Sequence, residues 1–177
     1  MPLIPPVEIE QILTRLDQAS TTDEKGRALE DFVSVLFTTI PGIRAAQRNV
    51  QNVFRTEEID IAFWNQRVSD GLHFLPAIFL VECKNWSKPV GSEEVAYFSE
   101  KLRNRGCKYG FLIAANGVTG NPEDLTRSHS IISRALYDKV RIMVIRLNEL
   151  SSIETTELLV TLIQEKLMEL ILIGTNR

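Results

Sequence analysis

Only two cysteines and two histidines occur among the 177 residues, which removes the usual ingredients of a zinc site or a disulfide framework. Cys83 and Cys107 have neither CxxC spacing nor a neighbouring histidine and are expected to be reduced thiols in packed positions. His73 falls in an expected hairpin loop and His129 on an expected helix, both too isolated to argue for catalysis. Long apolar runs are also missing, and the opening Met1-Pro2-Leu3-Ile4-Pro5-Pro6 lacks the basic region and apolar core of a signal peptide. A cytoplasmic location, with no membrane partner, is the expectation. Nor is there a large excess of one charge. A net charge of -3 and a pI near 5.5 argue against a chain coated with positive charge, while leaving room for a local patch. Basic residues are dense from Lys84 to Lys108 (Lys84, Lys88, Lys101, Arg103, Arg105, Lys108) and recur at Arg127 and Arg134. They either face nucleic acid or solvate helix faces and complement helix C-termini.

What remains is the composition of a soluble globular protein, 44% hydrophobic and 24% charged. A chain of this length suits one domain, residues 1–177 with a core at about 22–147, able to bury roughly two thirds of its unfolded surface. There is no linker, internal repeat or low-complexity tract.

Periodicity predicts a short amphipathic helix over 7–18, with Val7, Ile9, Ile12, Leu13 and Leu16 inward. Thr21-x-x-Glu24 has the form of a capping box and opens a second helix whose stripe is Leu29, Phe32, Val33, Leu36 and Ile40, ending before Pro41-Gly42. Glu30 lies at the edge of that stripe, half turned inward, either capping the core edge toward solvent or reaching toward Asp60 and Glu82, and Gly26 inside the stripe, by allowing close approach to a sheet, favours the second. Strands are predicted at Ile43 to Val50, Glu57 to Trp64, Ala77 to Cys83, Tyr109 to Ala114 and Val140 to Arg146. Helices are predicted at Ser92 to Arg105 and at Pro122 to Tyr137, the latter opened by Asn121 and Pro122. The last, Ser152 to Ile173, is apolar on more than one side and calls for a second packing partner, either the domain's own core or another subunit. Alternation of helix and strand in the second half implies parallel pairing, and the first three strands can form antiparallel hairpins. The expected fold is α/β, a mixed five-stranded sheet flanked by helices.

Asp60, Glu82 and Lys84 sit where short apolar strands run out. Ala77-Ile78-Phe79-Leu80-Val81 turns abruptly into Glu-Cys-Lys, and strand alternation puts Glu82 and Lys84 on one face with Cys83 on the other. If the two strands form a hairpin, Asp60 approaches that face. Two carboxylates beside an ammonium make a site for a hard cation and for phosphodiester hydrolysis. The alternative is a turn-capping Asp60 and a solvated strand-end pair. A glycosidase fits poorly, because that chemistry keeps one acid protonated whereas Lys84 and a metal would hold both ionised.

Four ordered segments carry a family resemblance: Lys25-Gly26-Arg27-Ala28-Leu29-Glu30-Asp31-Phe32, Glu58-Ile59-Asp60-Ile61, Val81-Glu82-Cys83-Lys84-Asn85-Trp86, and Gly117-Val118-Thr119-Gly120 after a strand. In these the chain resembles the PD-(D/E)XK nuclease superfamily and, within it, the Mrr-type restriction endonucleases. Ile59 stands where a proline often precedes the first acid. The resemblance implies a restriction-endonuclease-like core and metal-dependent cleavage of DNA. Asp60 and Glu82 would be magnesium ligands with manganese as a possible substitute, Lys84 the water-orienting and charge-stabilising residue, and Glu30 the helix-borne acid, also a candidate ligand. Asn85, Trp86, Lys88, Arg127 and Arg134 are weaker candidates for touching nucleic acid, with packing against the sheet edge as the alternative for Trp86. Cutting both strands of a duplex suggests a homodimer. With only a short helix beyond the core, sequence targeting is expected from a separate subunit. The competing functions are a non-catalytic nucleic-acid-binding subunit on the same fold and a junction-resolving or RNA-cleaving nuclease.

Overall fold

In the computed structural model, residues 6–52, 58–123 and 126–176 are described, without the side chains of residues 6–8. The opening segment 1–5, the Val7 side chain assigned to the first apolar stripe and Glu57 at the start of the second strand therefore lie outside the described residues. The elements run α1 (Pro6–Gln18), α2 (Thr22–Thr38), β1 (Ile43–Gln51), β2 (Glu58–Asn65), β3 (Ile78–Lys84), α3 (Ser92–Asn104), β4 (Tyr109–Ala114), α4 (Ser128–Tyr137), β5 (Arg141–Arg146), α5 (Leu147–Ser151) and α6 (Thr156–Ile173).

One five-stranded sheet is ordered β1-β2-β3-β4-β5, antiparallel across the first two pairings and parallel across the last two. This is the mixed α/β sheet that the hairpin-then-crossover pattern implies. Phe37 of α2 packs on Phe63, Phe79 and Phe111 of β2, β3 and β4, ring centroids 5.3 to 6.1 Å apart. Helix α2 thus covers the sheet face of Phe79 and Val81. By alternation Leu80, Glu82 and Lys84 face the other way, toward α3. Gly110 lets α3 settle there, since a Cβ at that position would lie 2.7 Å from both Phe98 and Leu102. Along α3, Val95, Phe98, Ser99, Lys101 and Leu102 are buried.

The capping box of α2 forms as the sequence predicts. Thr21 accepts from the Glu24 amide at 3.2 Å, and Glu24 accepts from the amides of Thr21 and Ser20. These hydrogen bonds, Thr21's first, hold the Glu24 carboxyl down at about 2.

Several boundaries differ from the sequence expectation. A Cβ on Gly26 would meet nothing within 4 Å, so this glycine does not serve close packing. Helix α4 starts at Ser128 and not at Pro122. Asn121 folds the preceding loop on itself by accepting from the Glu123 amide with its side chain and from the Thr126 amide with its carbonyl, and Arg127 at φ 51° breaks the helical path. The last helix begins only at Thr156, capped by Thr155, after the separate turn of α5. Its buried set is Thr156, Leu159, Val160, Ile163, Lys166 and Leu170, while Leu158 and Ile171 are exposed. Beyond it, Asn176 accepts from the Val144 amide at 2.9 Å and donates to the Lys166 carbonyl, laying the chain against β5 at the sheet margin. Among the described residues no helix is long and apolar enough to cross a membrane.

Candidate active site

The β2–β3 ladder pairs Ile61 with Val81 and ends there, leaving Asp60 and Glu82 one residue further along at adjoining strand ends. Asp60 is fixed by its Oδ2, which accepts from the Cys83 backbone amide at 2.7 Å. Glu82 is buried, its side chain 5% exposed, and Lys84 Nζ sits 2.8 Å from its Oε1. The hairpin arrangement therefore brings Asp60, Glu82 and Lys84 together.

Their electrostatics are those of two carboxylates crowded into a buried site. Burial, and then the nearby Glu82 charge, push the Asp60 carboxyl up to about 7, against the opposing pull of the Cys83 amide, Lys84 and Lys101. Burial pulls the Lys84 ammonium down, but attraction by Glu82 and the hydrogen bond to it win, and Lys84 stays protonated above its ordinary value. Burial drives the Cys83 thiol well up, so that it behaves as a neutral packed group.

Glu30 is not brought into this cluster. It lies on α2, on the opposite side of the sheet, and accepts from Arg48 Nη2 at 3.2 Å while Arg48 Nη1 holds Asp31 at 2.7 Å. Among the described residues no three His, Cys, Asp or Glu side chains gather closely enough to hold a metal ion. The groove between α1, α2 and β1, about 740 Å³ and lined by Arg15, Asp31 and Arg48, belongs to this second charge network and not to the Asp60 site.

Asn85 donates to the Lys25 carbonyl at 3.2 Å, tying the end of β3 to the start of α2. Trp86 packs against the core, with its carbonyl accepting from Asn116 and its ring 5.7 Å from Lys84 Nζ. Lys88, Arg127 and Arg134 are exposed. The segment Gly117 to Thr119 bonds along Val90, with the Val90 amide donating to Gly117 and the Thr119 amide donating to Val90. Gly117 makes this possible at φ 67°, where a side chain would also press on Arg146. His129 is buried, Nδ1 at 2.8 Å from Thr175 Oγ1, and serves to hold the C-terminal segment.

The residue that sequence reasoning missed is Lys101. Its Nζ lies 3.0 and 2.8 Å from the two Glu82 oxygens, and it is as buried as its partner. The signal was its place beside the Val95, Phe98 and Leu102 stripe, where a cation borders the inward face of α3. A cavity of about 390 Å³ opens between α3 and β3, lined by Glu82, Lys84, Glu93, Glu94, Tyr97 and Lys101.

A sequence profile of the Mrr-type restriction endonuclease catalytic domain matches residues 22–143. The chain belongs to this family. No curated protein and no solved structure matches it. The matched span runs from the first residue of α2 into β5 and contains Asp60, Glu82, Lys84 and Lys101, so the Mrr-type nuclease domain includes the whole cluster.

Proposed function

We propose that this chain is a magnesium-dependent DNA endonuclease of the cytoplasm, with Asp60 and Glu82 holding the ion, manganese able to replace it, and Lys84 stabilising charge on the scissile phosphate. One observation carries the reading. Two carboxylates are held at adjoining strand ends, one fixed by a backbone amide and pushed up to about 7 by burial and its acidic neighbour, with a lysine 2.8 Å from the other. Such a donor set fits a hard divalent cation, because oxygen ligands crowded in a low-dielectric site gain most from an added positive charge. When bound, magnesium supplies water activation and neutralisation of phosphate charge.

The residues themselves bind, orient and donate. The Cys83 amide keeps the Asp60 carboxylate in one orientation. Lys84, on the face that opens into the cavity, donates a hydrogen bond to a non-bridging phosphate oxygen as negative charge builds during attack by water. A bond from water oxygen to phosphorus forms, the bond to the leaving strand breaks, and the leaving oxygen takes up a proton. Glu30, paired with Arg48, stays outside the proposed ligand set. Exposed Lys88, Arg127 and Arg134 are candidates for the DNA backbone, and sequence choice is left to a separate targeting subunit.

A homodimer completes the proposal, since one such site cuts one strand. Its surface is α6, where Leu158, Met168, Ile171, Leu172 and Ile173 are exposed beside a shallow cavity of about 530 Å³ lined by Phe74, Leu167 and Met168.

The test is incubation of pure protein with supercoiled plasmid, linear duplex, single-stranded DNA and RNA, each with magnesium, manganese or EDTA. Metal-dependent nicking of duplex DNA is expected. Binding without cleavage under every condition would identify a non-catalytic subunit, and preferential cutting of RNA or branched DNA would reassign the substrate.

A further inference from the structure

Glu82 carries two ammonium partners where one would balance its charge. Lys84 reaches one oxygen at 2.8 Å, whereas Lys101 spans both, at 3.0 and 2.8 Å. The two lysines differ in freedom. The Lys84 side chain is 22% exposed at the end of a strand, and that of Lys101 is 5% exposed on a helix locked to β4 by Phe98 and Leu102 over Gly110. The Tyr97 ring, 5.0 Å from Lys101 Nζ, borders the same cavity and shields that ammonium further. A long cationic side chain clamped at both its stem and its head has little room to follow a substrate. One with a strand-end position and an open side does.

We propose that Lys101 is a positioning residue, the permanent counter-ion of Glu82, which keeps that carboxylate oriented and charge-compensated so that Lys84 can leave it for the phosphate. The inference rests on the metal-nuclease reading of the site and adds a division of labour within it. Without Lys101, Lys84 is the sole partner of a buried carboxylate, and withdrawing it would strand that charge. Lys84 then stays on Glu82 and turnover falls. The fixed Lys101 charge also repels an incoming cation, so its removal strengthens metal binding while weakening catalysis. A residue that only supports the fold would move both in the same direction.

Lys101→Met and Lys101→Arg in the full chain separate these cases. Calorimetric titration with magnesium in the absence of DNA should show several-fold tighter binding for Lys101→Met, and kcat should drop about 10- to 100-fold with KM for DNA near wild type. Lys101→Arg should return both toward wild type. Equal or weaker magnesium affinity together with unchanged kcat in folded Lys101→Met would overturn the proposal. If that variant does not fold, the ammonium proton resonances of wild type decide. On adding magnesium, the Lys101 signal should stay protected from solvent exchange while that of Lys84 becomes exchangeable, and the reverse pattern overturns the assignment. Wild type that binds no magnesium and cuts in EDTA sinks the metal reading itself, an outcome distinct from wild-type metal dependence without the Lys101→Met split.

Discussion

The Cys83 backbone amide and the Asp60 carboxylate are joined across the β2–β3 hairpin at 2.7 Å, with Asp60 one residue and Cys83 two residues beyond the last paired position of the ladder. That bond converts a fraying strand end into a fixed carboxylate facing Glu82. Burial and the neighbouring Glu82 charge, working against that bond, make Asp60 an acid whose stability cost depends on pH.

Asp60 is raised from its ordinary 3.8 to about 7, so the folded protein holds its proton more tightly than the unfolded chain. Its contribution to stability is fully present below 3.8 and is lost as pH rises through about 7. The melting temperature of metal-free protein should therefore fall across this range. Asp60→Asn, which keeps an oxygen for the Cys83 amide, should flatten the fall and melt higher near neutrality. Thermal scans in EDTA from about pH 4 to about pH 8 check this. A large drop for metal-free Asp60→Asn would make Asp60 a structural cap.

Asp60→Asn, Glu82→Gln and Lys84→Ala should each lower plasmid nicking by about two to three orders of magnitude while the circular dichroism spectrum stays native. Undiminished cleavage by Glu82→Gln would remove the carboxylate pair from the chemistry.

Gly110→Ala should push α3 off β4, because the new Cβ meets Phe98 and Leu102 at 2.7 Å. Denaturant titration should read a loss of about 1–3 kcal/mol, and nicking should weaken as Lys101 shifts from Glu82. Full activity with wild-type stability would mean that α3 can repack without disturbing the site.

Self-association should depend on the outward face of α6. Leu172 is 76% and Met168 60% exposed, whereas Leu170 is fully buried, so a charge at Leu170 would damage the core instead of an interface. Light scattering at micromolar concentration should give a dimer mass for wild type and a monomer mass for Leu172→Glu with Met168→Glu, each lost contact costing roughly 25 cal/mol per Å² of apolar area. A monomeric wild type would end the homodimer proposal.

Sequence patterning was enough for the five strands, their mixed pairing and the convergence of Asp60, Glu82 and Lys84, because alternation fixes which side chains share a face and the hairpin fixes which strand ends meet. It failed where a third element decides. Lys101 borders an apolar stripe, and nothing in helical periodicity says that the strand opposite it ends in an acid. Glu30 matches its motif in position, yet Arg48, eighteen residues on in β1, takes its carboxylate. Asn121-Pro122 carries a helix-start signature, but hydrogen bonds inside the loop and the positive φ of Arg127 delay the helix to Ser128.

The Asn176 side chain on the Val144 amide gives the sheet a finished border and an unfinished one. On the β5 side an incoming strand meets a Val144 amide already bonded to the chain's own Asn176. The far border, β1, is largely exposed and interrupted by the register shift between Ala45 and Gln47. Growth by strand addition is thus hindered at both margins, which leaves the outer face of α6 as the surface for the proposed pairing of two copies.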